Sequence, residues 1–409
     1  MAAETDFARI GWPGAALAMS PAESTAWLAL LAGARPLPAL ELAAAVAGLG
    51  DEQWDNLLRL MVAERLAPMA ATHFQAQGVF GRVPAGVSDR LSAEQRRNQA
   101  NFAQQAYALA HLARALNEAA IPFRLLKGMA VAAQAYPTPV ARSVGDLDIW
   151  VAPGDVLRAE TVLRQLGLRR VSSAYSPEFT AAFGGQLEFA PRGRLDLPAS
   201  VDLHWHLSNA WWVRPSLKIP EGRIFARPQQ VPIAGEPYPT LNPTDTLFHL
   251  CLHATAGHHF QGLRCLVDIL LMANTGQVDW DALNALSQAS GTQVILWRTF
   301  ELVDEFFGST YRANVTQAPP RWQCRLVRRA LPPPVPGTLP PSAGPDALGL
   351  VVPHLVLLPN VRSMAGAILR VMWPSERWMK LRYGLRGRRA LLSARARHLA
   401  RLRFLLLRR

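Results

Sequence analysis

Residues 142–151 read "RSVGDLDIWV", and the reading of this stretch decides the fold. Ile149, Trp150 and Val151 suit a buried strand, yet Asp146 and Asp148 stand among them. An ionised carboxylate is costly to take out of water unless something positive meets it. Residues i and i+2 of a strand share a face, so the pattern projects Asp146 and Asp148 side by side while Leu147 and Ile149 face a core. A third acid has similar placement, because "SVDLHWHL" at 200–207 puts Asp202 in another short strand. Three carboxylates converging from adjacent strands make an all-oxygen site that suits Mg²⁺ rather than zinc, with substrate phosphates supplying further ligands. Clustered carboxylates also disfavour one another's ionised forms, so at least one should titrate high, and the metal-free fold should tolerate Asp148→Asn.

Around this stretch the pattern is mixed α/β. "IPFRLLK" (121–127) reads as a strand ended by Gly128, and "MAVAAQAY" (129–136) as a short helix. "PGDVLRAETVLRQLG" (153–167) is a helix with Pro at its start, and "LRRVSS", "QLEFA" and "SVDLHWHL" are further strands. A small α/β core over residues 121–235 is therefore expected between helical blocks at 1–120 and 236–331. In the first block "STAWLALLAGA", "ALELAAAVAGLG" and "DEQWDNLLRLMVAERLAPMAATHFQ" carry apolar residues at helical spacing. A long helix follows from about Ser88 to Ala120, with "SAEQ" as its capping box. Seven prolines in residues 332–345 mark a linker over 332–346, and a basic helical region occupies 347–409.

"LLKG", "YPTPVARSVGDLDIWV", "VDLHWHL", "HLCLHA", "LVDI" and "VDWDAL", in that order, resemble the uncharacterised nucleotidyltransferase family of the DNA-polymerase-β-like superfamily. The resemblance runs from about residue 100 to 310, and "MWPSERWMKLRYG" (372–384) is similar to the family's C-terminal segment. It implies a small mixed sheet flanked by helices and Mg²⁺-dependent transfer of a nucleoside monophosphate from an NTP, expected to be ATP, through two metal ions. The acceptor it leaves open: a small molecule, a peptide or a saccharide. By this match Asp146 and Asp148 correspond to the paired metal ligands and Asp202 to the third, with Asp202 also placed to help deprotonate the acceptor. Lys127 and Gly128 fall at the turn whose backbone N–H groups approach the triphosphate. Arg142 and Ser143, with Gly145 beside them, are expected at the phosphates. A catalytically silent protein that keeps the fold as a binding scaffold is the competing reading.

Other functions find less support. "HLCLHATAGHH" sets His249 and His253 one helical turn apart, with His258 and His259 beyond, but the Glu of HExxH is missing and Cys251 lies on another face. His253 is expected to pack or to hydrogen-bond a core acid such as Asp268, and His204 to support Asp202 or to be structural. There is no GxSxG elbow and no phosphate loop before a helix. Cys251, Cys265 and Cys324 form no CxxC pair, which suits a reducing compartment. The start carries no apolar leader and no apolar run is long enough to span a bilayer, so a cytoplasmic protein is expected.

The net charge of +13 is concentrated at one end. Residues 376–409 hold 12 basic residues against one acid, leaving 31 against 29 in the rest. A basic terminal segment mixing Leu with Arg reads as an amphipathic membrane-surface helix, a nucleic-acid or acidic-partner contact, or a solvated terminal helix, with the lean to an anionic surface, rather than as part of the central chemistry.

Overall fold

The computed structural model describes residues 37–171, 176–193, 197–257, 259–260, 262–335, 351–385 and 388–407, with Trp27, Gly33 and Ala34. The helix expected over "STAWLALLAGA", the linker beyond residue 335 and His258 lie outside the described residues, apart from those three.

Helices α1 (Ala39–Ala47), α2 (Asp51–Ala63) and α3 (Ala67–Ala76) lead into α4 (Ala85–Glu118). The "SAEQ" segment does not cap α4: the helix starts earlier, after Pro84, and Ser88 Oγ donates back to the Ala85 carbonyl at 2.9 Å. Pro84 pre-sets the backbone at the entry, and no side chain caps that end. Polar residues on α4 are what place the approach loop. Asn98 Nδ2 donates to the Val140 and Arg142 carbonyls at 2.6 and 3.1 Å, Asn101 Nδ2 to that of Val144, and Gln105 Nε2 to that of Gly145 at 3.3 Å.

The sheet contains β1 (Phe123–Leu126), β2 (Leu147–Val151), β3 (Leu168–Arg170), β4 (Gln186–Pro191), β5 (Val201–His204), β6 (Pro228–Ile233) and β7 (Glu236–Leu241). Its order is β3-β4-β5-β2-β1-β7-β6, with β2–β5 and β1–β7 parallel and the other pairs antiparallel. Between the strands run α5 (Lys127–Ala135), α6 (Val156–Gln165), α7 (Pro177–Phe183) and α8 (Glu221–Phe225). The β6–β7 hairpin is not legible in the sequence, because "PQQVPI" and "EPYPTL" carry the prolines that argue against strands. A tight turn with positive φ at Ala234 and Gly235 closes it, and the sheet therefore continues through residue 235 to Leu241.

The two faces of the sheet bury different cores. Leu125, Leu147, Ile149, Val201 and Leu203 pack with Leu109, Leu112 and Leu116 of α4 and Leu163 of α6. Leu126, Trp150 and Leu241 join Phe248, Leu266, Leu270 and Phe300. These last four belong to the helical block of α9 (Pro243–Leu252), α10 (Leu263–Asn274), α11 (Trp280–Ser290) and α12 (Gln293–Phe307). After α13 (Arg321–Ala330) come α14 (Val351–Val356), α15 (Val361–Met372), α16 (Glu376–Tyr383) and α17 (Arg388–Leu407). The basic end is docked onto the body: Trp378, Met379, Leu391 and Ala394 cluster with Phe179 of α7. Among the described residues no helix is long and apolar enough to cross a membrane.

Candidate active site

Register puts Leu126, Asp148, Asp202 and Glu188 in one row across β1, β2, β5 and β4. Leu147 and Ile149 point into the α4 core, so the strand pleat sends Asp148 to the other face, toward the C-terminal helical block. Asp146 does not join the row. It sits in a bend before the first residue of β2, half-buried at the rim. The alternation that would have aligned it with Asp148 applies only inside the strand.

Asp148 is 4% exposed. Its Oδ1 takes the Lys127 ammonium at 2.6 Å and His204 Nε2 at 3.1 Å. Burial alone would raise its pKa; Lys127 and His204 reverse that and hold the carboxyl well below the usual range. Lys127 reaches it from a left-handed backbone, φ 39°, where β1 turns into α5. That conformation costs on the order of 1 kcal/mol for a residue with a Cβ. The next residue is Gly128, where a Cβ would stand 3.8 Å from Asp148 Oδ2. Burial and the Lys127 charge lower the His204 pKa, so its ring is neutral and Nε2–H donates to Asp148.

Asp202 is in the opposite condition. Burial, then Asp148, then Asp146, pushes its pKa up to about 7, with Glu188 adding to the rise and Lys127 offsetting only part of it. Asp146 is also raised, first by burial and then by Asp148. The carboxyl that titrates high is thus Asp202, while Asp148 is ion-paired. The expected tolerance of Asp148→Asn does not follow, because that change would strand a buried lysine.

Arg142 departs from its expected place at the phosphates. Its Nε and Nη2 donate to Asp268 Oδ1 and Oδ2 at 2.8 and 2.7 Å, and Tyr136 Oη adds a bond to Oδ1 at 2.7 Å. Asp268 therefore pairs with Arg142 and Tyr136, and His253 stacks on His249 with ring centroids 6.1 Å apart. Burial, aided by Lys127, drops the His249 pKa to about 3, so it is a neutral core residue. Ser143 fastens the loop: its Oγ donates to the Arg65 carbonyl at 3.1 Å, and its own carbonyl accepts from Arg264 Nη1 at 2.9 Å. Sequence reading missed Glu188, Arg65 and Arg264. The polar position within "QLEFA" was a signal for Glu188; the two arginines had none, since tertiary contacts alone bring them to the loop.

Among the described residues, the His, Cys, Asp and Glu group that could hold a metal ion is Asp148, Asp202 and His204, whose ligand atoms lie within 4.8 Å of one another. A divalent cation fits this donor set on charge. Lys127 offsets one carboxylate, while among the described residues neither Asp202 nor Asp146 has an ion-pair partner.

A seven-stranded mixed sheet between helical layers, with paired carboxylates on adjacent parallel strands, is consistent with a nucleotidyltransferase fold. The family described as uncharacterised nucleotidyltransferase matches residues 50–308, and the chain belongs to it. The match takes in α2–α4, which the sequence resemblance left largely aside, and stops before "MWPSERWMKLRYG". Among curated proteins, none matches this chain.

Proposed function

We propose that the protein transfers a nucleoside monophosphate from an NTP, ATP in the first instance, to a hydroxyl of a small molecule, peptide or saccharide, with Mg²⁺ as cofactor. The observation that supports this most directly is the placement of Asp148 and Asp202 in register on adjacent parallel strands, with their ligand atoms and that of His204 within 4.8 Å of one another. Mg²⁺, as two ions, would supply Lewis-acid stabilisation of phosphoryl oxygens and acidify the attacking hydroxyl. Asp148 and Asp202 would hold the metal, with Asp146 at the rim as a further oxygen ligand. His204 orients Asp148 through its Nε2–H. Lys127 pairs with Asp148, and a cation taking that carboxylate would free its ammonium for a phosphate. Gly128 leaves the turn open beside both groups.

The same lysine favours a second reading, a silent nucleotidyltransferase-fold scaffold in which a built-in ammonium stands where a metal would. Incubation with each α-labelled nucleoside triphosphate, Mg²⁺ and cell extract separates the two. Label passing to an acceptor with the native chain but not with Asp202→Asn supports transfer, and its absence for all nucleotides leaves the scaffold. The exposed Arg362, Arg377, Lys380 and Arg397 of the C-terminal helices suit peripheral contact with an anionic surface in the cytoplasm, where three free cysteines persist.

A further inference from the structure

The loop that delivers Asp146 runs between two arginines from different parts of the chain. Arg65 follows α2 and Arg264 opens α10. The Ser143 side chain donates to the Arg65 backbone carbonyl, while the Arg264 side chain donates to the Ser143 backbone carbonyl. Gly145 completes the approach, because a Cβ there would meet Arg65 Nη1 at 3.3 Å.

The Arg65 backbone is built with care. Leu66 N–H donates to the Met61 carbonyl at 2.8 Å and Arg65 N–H to that of Val62 at 3.1 Å, the pattern of a helix end whose left-handed residue is ordinarily glycine. Here an arginine takes that position at φ 57°, at a cost on the order of 1 kcal/mol that glycine would avoid. Glu64, one residue earlier, accepts from Leu263 N–H at 2.6 Å and so ties the end of α2 to the start of α10. This bond sets the two guanidinium-bearing residues beside each other, and among the described residues neither guanidinium has an ion-pair partner, Asp146 included. Arg264 is the largest influence on Arg65 and lowers its pKa, while Asp146 acts less strongly in the opposite sense. Two like charges held together at the rim of a carboxylate site call for an anion between them.

We propose that Arg65 and Arg264 bind the polyphosphate of the incoming nucleotide at the rim of the Asp148–Asp202 site. The proposal rests on the nucleotide-transfer reading for the identity of the ligand, though not for the existence of the anion site. Polyphosphate has the charge to satisfy both guanidiniums, whose planar forks match phosphate oxygens. Its bound metal would face the carboxylates, so one ligand answers the positive and the negative surplus together.

The probe is inorganic tripolyphosphate with Mg²⁺, titrated calorimetrically into the full chain. The expected result is binding that weakens with added salt, and a loss of roughly tenfold or more in affinity for Arg65→Gln and again for Arg264→Gln. Arg325→Gln, exposed on α13, should bind like the native chain. If Arg264→Gln disturbs folding through its bond to Ser143, Arg65→Gln carries the test alone, since its side chain is exposed. Failure of the native chain to bind tripolyphosphate, or unchanged affinity in a natively folded Arg65→Gln protein, overturns the proposal. Tripolyphosphate binding that depends on both arginines, without nucleotide transfer, would instead overturn only the transfer reading.

Discussion

Two buried carboxylates, Asp268 and Asp148, sit about equally deep in this protein and are treated in opposite ways. Asp268, on α10, meets a two-pronged guanidinium from Arg142 and a hydroxyl from Tyr136. Asp148 meets Lys127 and His204, but its neighbours across the strands include Asp202, with Glu188 one strand further. The first group is balanced within itself and links α10 to the loop before β2. The second is left with more negative charge than the chain neutralises. Burial of a charge thus does not distinguish the two groups; balance of charge does.

The sharpest way to break this contrast is by activity. Asp202→Asn should reduce nucleotide transfer by about 1,000-fold or more, as expected when a metal-holding carboxylate is lost, while the protein stays folded. Transfer within tenfold of the native rate would remove Asp202 from the chemistry.

Stability should show the reverse. Asp268→Ala leaves the Arg142 guanidinium buried and unpaired, and should cost about 3–5 kcal/mol in urea unfolding. Asp148→Asn should also destabilise, because Lys127 loses its partner. A neutral Asp268→Ala would show that the balanced cluster is not what fastens the loop.

The pH dependence of the metal-free protein gives a smaller effect with a defined sign. Asp202 has a folded-state pKa of about 7 against an ordinary value of 3.8. Between those values the folded state holds a proton that the unfolded chain has released, so this group's contribution to stability falls as pH rises and is lost above about 7. Asp202→Asn should therefore match the native protein near pH 4 and exceed it at pH 8 by about 1–2 kcal/mol, after allowance for solvent screening. Mg²⁺ should raise the melting temperature of the native chain at pH 8, EDTA should reverse this, and the variant should respond less. A native chain no less stable than the variant at pH 8 without metal would mean that the repulsion is relieved by other means.

The smallest effect concerns the surface. Replacing Arg377, Lys380 and Arg397 together by Gln should weaken association with anionic vesicles severalfold and leave Mg²⁺ binding unchanged. Truncation would be a poorer test, because Leu391 and Ala394 of α17 cover Trp378 and Met379. Unaltered vesicle association would remove these residues from any docking role.

The sequence alone determined the family, the α/β core and the two strands that carry Asp148 and Asp202. Those features are local: strand alternation, punctuation by Gly and Pro, and short motifs in a fixed order, all readable without knowing what lies opposite. The helical blocks were legible for the same reason, as three-and-four apolar spacing. Where sequence rules point the wrong way, the hairpin at residues 228–241 was hidden, its prolines tolerated because β6 lies at the sheet edge and β7 meets β1 at one register pair. Tertiary structure decided the partners. It set Arg142 on Asp268, brought Lys127 onto Asp148, left Asp202 short of positive charge, and carried Arg65 to within reach of Gly145. Charge balance depends on distances between residues far apart in the chain, so only the folded protein distinguishes a carboxylate that is paired from one that awaits a ligand.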